Sequence, residues 1–357
     1  MSDASSDVLA QQVADARSLR VVESDDVAAW DAFVTACPDS TMCHRSAWRE
    51  VMTDVLGHQT SLLVATDDRG TWRGVLPLVR VRSLLGHYLV SIPFMNDGGP
   101  LGADAAKAAL VEHAVADARR TRAKLLELRS RHPVPGPVTP SGRKVAVHLA
   151  LPDSVESLWA STFKAKLRSQ IRRPMKEGMM ARNGDEQLDA FYEVFSRNMR
   201  DLGTPVLPRA FFSKLQASFG GAVSFTAVYT AQGAPAAAAC CLTWKDEVEV
   251  TWASSLRELN HLSPNMLLYA TLMEQAIGRG TRVFNFGRST PGSPTHKFKL
   301  QWGGEDRPLA WPSWSPAGAA STPSPDRPAF RVATAVWRRL PMPVANRIGP
   351  LLSRHLP

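Results

Sequence analysis

One order of elements occurs twice in this chain. Segments 61–66, 73–82 and 87–94 are short, rich in Val, Leu and Ile, and separated by turn formers such as Asp67-Asp68-Arg69-Gly70, a pattern that reads as three strands. An alanine-rich helix is expected over 103–120 and a closing strand over 124–129. The same order returns roughly 160 residues later: strands at 223–230, 236–244 and 247–253, a helix at 264–278 opened by Ser263 and Pro264, and a strand at 282–286. Helices precede each set. They lie at 25–36 and 46–56, with Asp25 and Ser46 as N-cap types, and at 161–173, 186–201 and 208–219. A duplicated mixed α/β domain explains the repetition, with strands 124–129 and 282–286 in equivalent places. One irregular α/β domain is the alternative.

The chain has 357 residues, which suits two domains of roughly 100–200 residues each. With 44% apolar and 21% charged residues it is neither disordered nor collagen-like, and four cysteines are too few for a disulfide scaffold. Its longest apolar run, Ala234 to Trp244, falls short of the about 20 residues a spanning helix needs. The polar, acidic start lacks the basic and apolar regions of a secretion signal, so a cytoplasmic protein is expected. A net charge of +9 favours anionic partners.

Two stretches concentrate chemistry. The first runs Phe284-Asn285-Phe286-Gly287-Arg288-Ser289-Thr290 and continues through His296, Lys297 and Lys299 to Trp302. It leaves a cation and two hydroxyls at a strand's C-terminal end, where open α/β sheets bind ligands. A phosphate or carboxylate would fit there, and an ordinary strand-to-helix turn with solvated cations is the alternative. The second is the segment 163–173. Phe163, Leu167 and Ile171 recur every four residues beside a basic stripe of Lys164, Arg168 and Arg172, followed by Arg173. Between Ser161 and Arg182 seven Lys or Arg stand against one Glu. Such a helix grips phosphates, or is a solvated face.

Other motifs fail. There is no nucleophile elbow, P-loop or H-E-x-x-H. Cys37, Cys43 and His44 lack a second ligand pair at zinc spacing, so no metal is expected. Cys240 and Cys241 read as core. A literal acyl-CoA pyrophosphate pattern, Q-x-x-G-x-G, begins at Gln275, but it ends a helix where a phosphate cradle should open one.

Several of these pieces together resemble the FemAB-like proteins of the GNAT acyltransferase superfamily, and among them the subgroup associated with PEP-CTERM/exosortase exopolysaccharide loci. The matching pieces are 167–178, 199–212, 262–276, 284–304 and 337–357, with a looser match at 91–102. The resemblance implies an α/β (α+β) protein of two tandem GNAT-like domains, each a mixed sheet flanked by helices. Domain boundaries are placed at 21–155 and 156–314, the latter a BioF2-like acetyltransferase domain. A loose lead-in over 1–20 precedes them, and a Pro-rich linker with a basic tail over 315–357 follows. It further implies transfer of an acyl or aminoacyl group to an amine of a glycan or peptidoglycan-type precursor. In better-known relatives an F-K-x-x-F-G stretch lies near the reacting groups. Here Phe298-Lys299-Leu300-Gln301-Trp302-Gly303 fits, with Trp in place of the second Phe. Lys299 and Arg288 are the expected catalytic cations, both facing a cleft. Lys164, Arg168, Arg172, Arg173, Asn198, Arg200, Asn265, Ser289, Thr290, His296, Lys297 and Trp302 are the candidates for substrate or donor contacts.

No resident cofactor is expected. The donor is an ester on tRNA (aminoacyl-tRNA) or a thioester (acyl-CoA), and both stay open, although the misplaced Q-x-x-G-x-G weakens the second. From a different class stands a non-catalytic module that binds glycan, RNA or membrane through the basic helix and tail. From Ser315 onward the chain has six arginines, no lysine and one acid, Asp326. Residues 329–340 would form a helix presenting Phe330, Ala333, Trp337 and Leu340, ended by Pro341 and Pro343. Residues 329–357 are thus a candidate peripheral contact with anionic membrane, at the inner face, packing on the folded body being the alternative.

Overall fold

The computed structural model describes residues 19–83, 86–140, 144–318 and 328–356, the last of these without side-chain detail before residue 332. The expected lead-in up to residue 18 and the linker over 319–327 lie outside the described residues. Two compact units are present, one holding the chain up to Arg143 with Pro308–Thr322 and the residues from His355, the other holding Lys144–Arg307 and Pro323–Arg354.

The first unit contains β1 (Arg20–Glu23), α1 (Val27–Ala36), β2 (Gln59–Thr66), β3 (Trp72–Ser83), β4 (Gly86–Val90), β5 (Leu101–Gly102), α2 (Asp104–Arg120) and β6 (Leu125–Glu127). Its sheet runs β1-β2-β3-β4-β6, with β5 on β3. Pairing is antiparallel until β4 meets β6 in parallel. A parallel neighbour requires a crossover, and α2 supplies it, burying Leu110, Val111, Ala114 and Ala118 against Leu63, Leu76, Leu78 and Leu89.

The second unit contains β7 (Lys144–Ala150), α3 (Ala165–Lys176), β8 (Met180–Asn183), α4 (Leu188–Leu202), α5 (Arg209–Phe219), β9 (Val223–Tyr229), β10 (Pro235–Trp244), β11 (Glu247–Ser255), α6 (Pro264–Gly278), β12 (Val283–Ser289), α7 (Pro294–Leu300) and β13 (Glu305–Leu309). Its sheet runs β13-β7-β12-β11-β10-β9-β8. From the parallel pair outward, β12-β11-β10-β9-β8 repeats β6-β4-β3-β2-β1, so the closing strands are equivalent as expected. Helices α4 and α6 both pack on β10. That is why β10 carries four fully buried alanines, Ala236 to Ala239, whose small side chains admit a helix on either side.

The boundaries placed at 155 and 314 need correction. β7 follows β6 in sequence but pairs antiparallel with β12 in the second sheet. β14 (Ser313–Trp314) follows the second repeat but pairs antiparallel with β6 in the first. In each sheet the outer edge of the last parallel strand would stay unpaired, and the antiparallel strand satisfies it.

Local signals were partly displaced. Asp26, not Asp25, caps α1, accepting from the Ala29 N–H at 2.9 Å. Ser46 instead donates from N and Oγ to the Asp31 carboxylate. Ser263 adopts φ +60° and makes no side-chain cap.

The tail forms two helices, α8 (Pro328–Trp337) and α9 (Met342–Ser353). The prolines read as terminators instead open α9, where a missing N–H costs nothing. Arg200 helps to fasten the tail, its Nη1 donating to the Leu340 carbonyl at 3.1 Å. α9 buries Ala345, Gly349 and Ser353. A Cβ at Gly349 would lie 2.9 Å from Val206 Cγ1 and 3.0 Å from Val206 N. Gly349→Val should therefore lower unfolding stability by about 1–3 kcal/mol, measured by urea denaturation. An unchanged midpoint would mean that α9 does not pack here.

Candidate active site

β11 and β12 run parallel through only three register pairs, Glu247–Val283, Val248–Phe284 and Glu249–Asn285. Beyond Glu249 the strands continue to Ser255 and Ser289 without pairing each other, so the sheet opens at the C-terminal ends of two parallel strands. A bulge on β12 accompanies the opening: Asn285 pairs with His148 and Arg288 with Ala146, leaving Phe286 and Gly287 opposite a single β7 residue. Gly287 has φ +72°, a conformation that favours glycine. Asn285 holds the bulge, its Oδ1 accepting from the Gly287 N–H at 2.8 Å and its Nδ2 donating to Glu247 Oε1 at 2.9 Å.

Lys299, on α7, reaches into this bulge. Its Nζ donates to the Gly287 and Arg288 carbonyls, both at 2.8 Å. An ammonium has three N–H donors, and the third has no acceptor among the described residues. Lys299 is only 5% exposed, and Glu249 6%. Burial pulls the Lys299 pKa down to about 8, the Glu249 carboxylate pushes it back up, and Arg288 lowers it further. Lys299 was expected to face a cleft like a surface cation. It is instead a buried, hydrogen-bonded one, while Arg288 is exposed as expected.

Around the opening the structure gathers further candidates. Thr290 accepts from Lys144 Nζ at 2.6 Å, and the Lys144 pKa is lowered by burial and by Arg288. Ser289 Oγ is buried without a hydrogen-bond partner among the described residues. At the end of β11, Asn198 Nδ2 donates to Ser254 Oγ and Asn265 Nδ2 to Ser255 Oγ, each at 3.0 Å. Asn265 Oδ1, on the first turn of α6, is buried and unpartnered among the described residues.

Other candidates have structural roles. His296 Nδ1 accepts from the Gly292 N–H at 3.1 Å and its Nε2 meets Asp306 at 2.8 Å, so both ring nitrogens are committed. Trp302 is fully buried, edge-on to Phe163. Arg168 Nη1 donates to the Trp159 and Phe163 carbonyls, and Arg172 lies over the Trp159 ring. Arg200 is spent on Asp201 and the Leu340 carbonyl. Lys164, Arg173 and Lys297 are exposed. The apolar stripe of α3 is buried at Leu167 and Ile171, with Phe163 just before it.

Glu249 and Lys144 were missed from sequence. Glu249 carried a faint signal: a carboxylate at an alternating position of an otherwise apolar strand, at the spacing that puts Glu247 and Glu249 on one face. Cys240 and Cys241 are core as expected, and burial pushes the Cys241 thiol up to about 12. A small depression in the first unit is lined by Asp39, His44, Asp97, Lys107, Arg129 and Arg131. Two of its arginines are engaged there: Arg131 bonds Asp97 at 2.6 Å, and Arg129 bonds Glu127 and the Ile92 and Met95 carbonyls. Lys299, buried with a lowered pKa, and the buried Glu249 stand at the β11–β12 opening, which is the better candidate for chemistry.

The mixed sheet with one parallel pair occurs in both units, and in the second it opens between the parallel strands. Residues 161–299 match the family model described as an acetyltransferase (GNAT) domain, and the second unit is accordingly a GNAT acyltransferase domain. The fold is similar to that of FemX, with a TM-score of 0.59 at 14% identity, covering 83% of this chain and 97% of that one. It is also similar to L-PGS from Bacillus licheniformis, with a TM-score of 0.54 at 12% identity, covering 89% and 99%. A tandem GNAT protein from the clavulanic acid biosynthesis pathway gives 0.53 at 15% identity, covering 85% and 100%. No curated protein sequence matches the chain.

The Lys299 geometry sets a pH dependence. The unfolded chain keeps this proton to about 10.5, whereas the folded chain releases it near 8. The unfolded state therefore binds more protons across that window, and stability rises with pH there. Between about pH 7 and about pH 9.5 the wild type should gain about 2 kcal/mol relative to Lys299→Met, read from urea denaturation of both proteins. A parallel pH course would place Lys299 in water.

Proposed function

We propose that this chain transfers an aminoacyl or other acyl group from an activated donor to an amine of a glycan or peptidoglycan-type precursor, in exopolysaccharide or cell-envelope biosynthesis. The observation that carries the reading is the buried Lys299 ammonium at the strand opening, with one N–H unspent, and the buried Glu249 at the last position where β11 pairs with β12. The amine nitrogen attacks the acyl carbon, forming the C–N bond. Glu249 takes the amine proton. The unspent N–H of Lys299 meets the oxyanion as it develops. The C–O bond of the donor ester then breaks, and the departing oxygen takes up a proton from the same site. No covalent nucleophile takes part, which agrees with the raised Cys241 thiol. Arg288 and Lys144 form a cationic rim for the donor's phosphates, while Asn265 Oδ1 and Ser289 Oγ offer acceptors to substrate N–H or O–H groups.

An ester on tRNA fits better than acyl-CoA. The Q-x-x-G-x-G pattern lies at the C-terminal end of α6, where the helix dipole repels phosphate. The exposed cations of α3 support the same reading.

Full chain incubated with an amine acceptor should give a mass increase with aminoacyl-tRNA and none with acetyl-CoA. The reverse result would make this an acyl-CoA enzyme, and no product with either would leave a binding module. Extracted polysaccharide and peptidoglycan should lack the same acyl mass when the gene is deleted. Glu249→Gln and Lys299→Met should each lower kcat by about 10²–10³-fold, whereas Arg288→Met should mainly raise KM. Because the charged form of Lys299 acts, the rate should fall about tenfold per pH unit above the Lys299 pKa of about 8. A rate that rises through that pH would make the neutral amine the base instead.

A further inference from the structure

Helix α9 inverts the usual burial of a surface helix. It turns its small residues Ala345, Gly349 and Ser353 inward and leaves Val344, Ile348, Leu351 and Leu352 exposed, Leu351 at 55%. On α8, Val332 and Val336, one turn apart, are exposed as well. Among the described residues, six of the twelve exposed large apolar side chains thus fall within these two consecutive helices. Scattered apolar residues on a surface need no explanation, but a concentration does. Arg338, Arg339, Arg347 and Arg354 are exposed in the same segment, which has no acidic residue from Pro328 to Pro357.

We propose that α8 and α9 form a docking face for an anionic lipid bilayer, a property beyond the transfer reaction itself. The aliphatic side chains enter the headgroup–acyl boundary to a depth of about 5–10 Å, and the arginines meet lipid phosphates. Charge selects this occupant. A second copy of the chain would bring two arginine clusters together with no acid in either segment to pair them, and a nucleic acid would use the arginines but leave the aliphatic stripe in water. The lipid-facing residues differ from those expected from sequence. Trp337 and Leu340 are half-buried, the Trp337 indole N–H is covered, and the Phe330 side chain lies outside the described residues.

The test is co-sedimentation of the full chain with vesicles of phosphatidylcholine containing about one-third phosphatidylglycerol, against pure phosphatidylcholine. Wild type should pellet with the anionic vesicles only, and less as salt rises. The full-length variant carrying Ile348→Ser, Leu351→Ser and Leu352→Ser should lose about tenfold or more in partitioning, with an unchanged thermal midpoint because these side chains are exposed. Arg339→Gln with Arg347→Gln, which leaves the aliphatic stripe intact, should lose about tenfold as well. Failure of wild type to pellet, equal pelleting with neutral vesicles, or undiminished pelleting of both variants would overturn the proposal. A concentration-dependent dimer that the triple variant abolishes would also overturn it, in favour of a second copy. None of these readouts depends on transferase activity.

Discussion

The Lys299 ammonium held by the Gly287 and Arg288 carbonyls is the contact on which the second unit turns. A bulge on β12 leaves two carbonyls out of the ladder, and buried carbonyls without donors are costly. Lys299 supplies both donors from one atom. The bulge begins right after Asn285, where the parallel pairing with β11 stops while pairing with β7 goes on to Ser289. The cost of burying a charge is offset by the two carbonyls and by the field of the Glu249 carboxylate.

A closing strand made after the second repeat ties completion of the first sheet to it. The first sheet is not complete until Ser313–Trp314 has been made, and the second begins with Lys144, before its own repeat starts. Cut before Lys144, the C-terminal part contains every strand of the second sheet, while the first sheet is left without Ser313–Trp314. Long-range pairings of this kind are expected to form late, because loop closure must come before their contacts contribute.

The repeat was legible because its strands are long and apolar and its crossover helices periodic, and those signals survive without any tertiary information. The strands that were missed are short or polar. Arg20–Glu23, Met180–Asn183 and Glu305–Leu309 are edge segments of four or five residues, held by a neighbour rather than by their own pattern. Lys144–Ala150 has a strand's alternation, but it followed a proline-rich loop and was absorbed into the boundary. Lys299 and Arg288 were legible as chemistry, but the buried state of Lys299 was not, since only the bulge supplies its acceptors. His296, Arg168 and Trp302 looked equally chemical in sequence. Their partners, Asp306, the carbonyls of Trp159 and Phe163, and the Phe163 ring, are contacts that spacing does not reveal.

The two ends of α6 bear on the donor. Its C-terminal end carries the glycines of the pyrophosphate-like pattern, and there the exposed backbone groups are carbonyls. Its N-terminal end stands after the end of β11, but it is a poor phosphate cradle. Pro264 has no N–H, and the Met266 N–H is already bonded to the Ser263 carbonyl at 3.0 Å. What this end offers a ligand is the unpartnered Asn265 Oδ1, an acceptor that suits a neutral N–H or hydroxyl and disfavours an anion. Positive charge is supplied from the far side of the opening, by Arg288 on β12 and by Lys144 at the start of β7. In the proposed reaction a donor would set its phosphate beside β12 and an N–H or hydroxyl toward Asn265 Oδ1, which satisfies both sides of the opening.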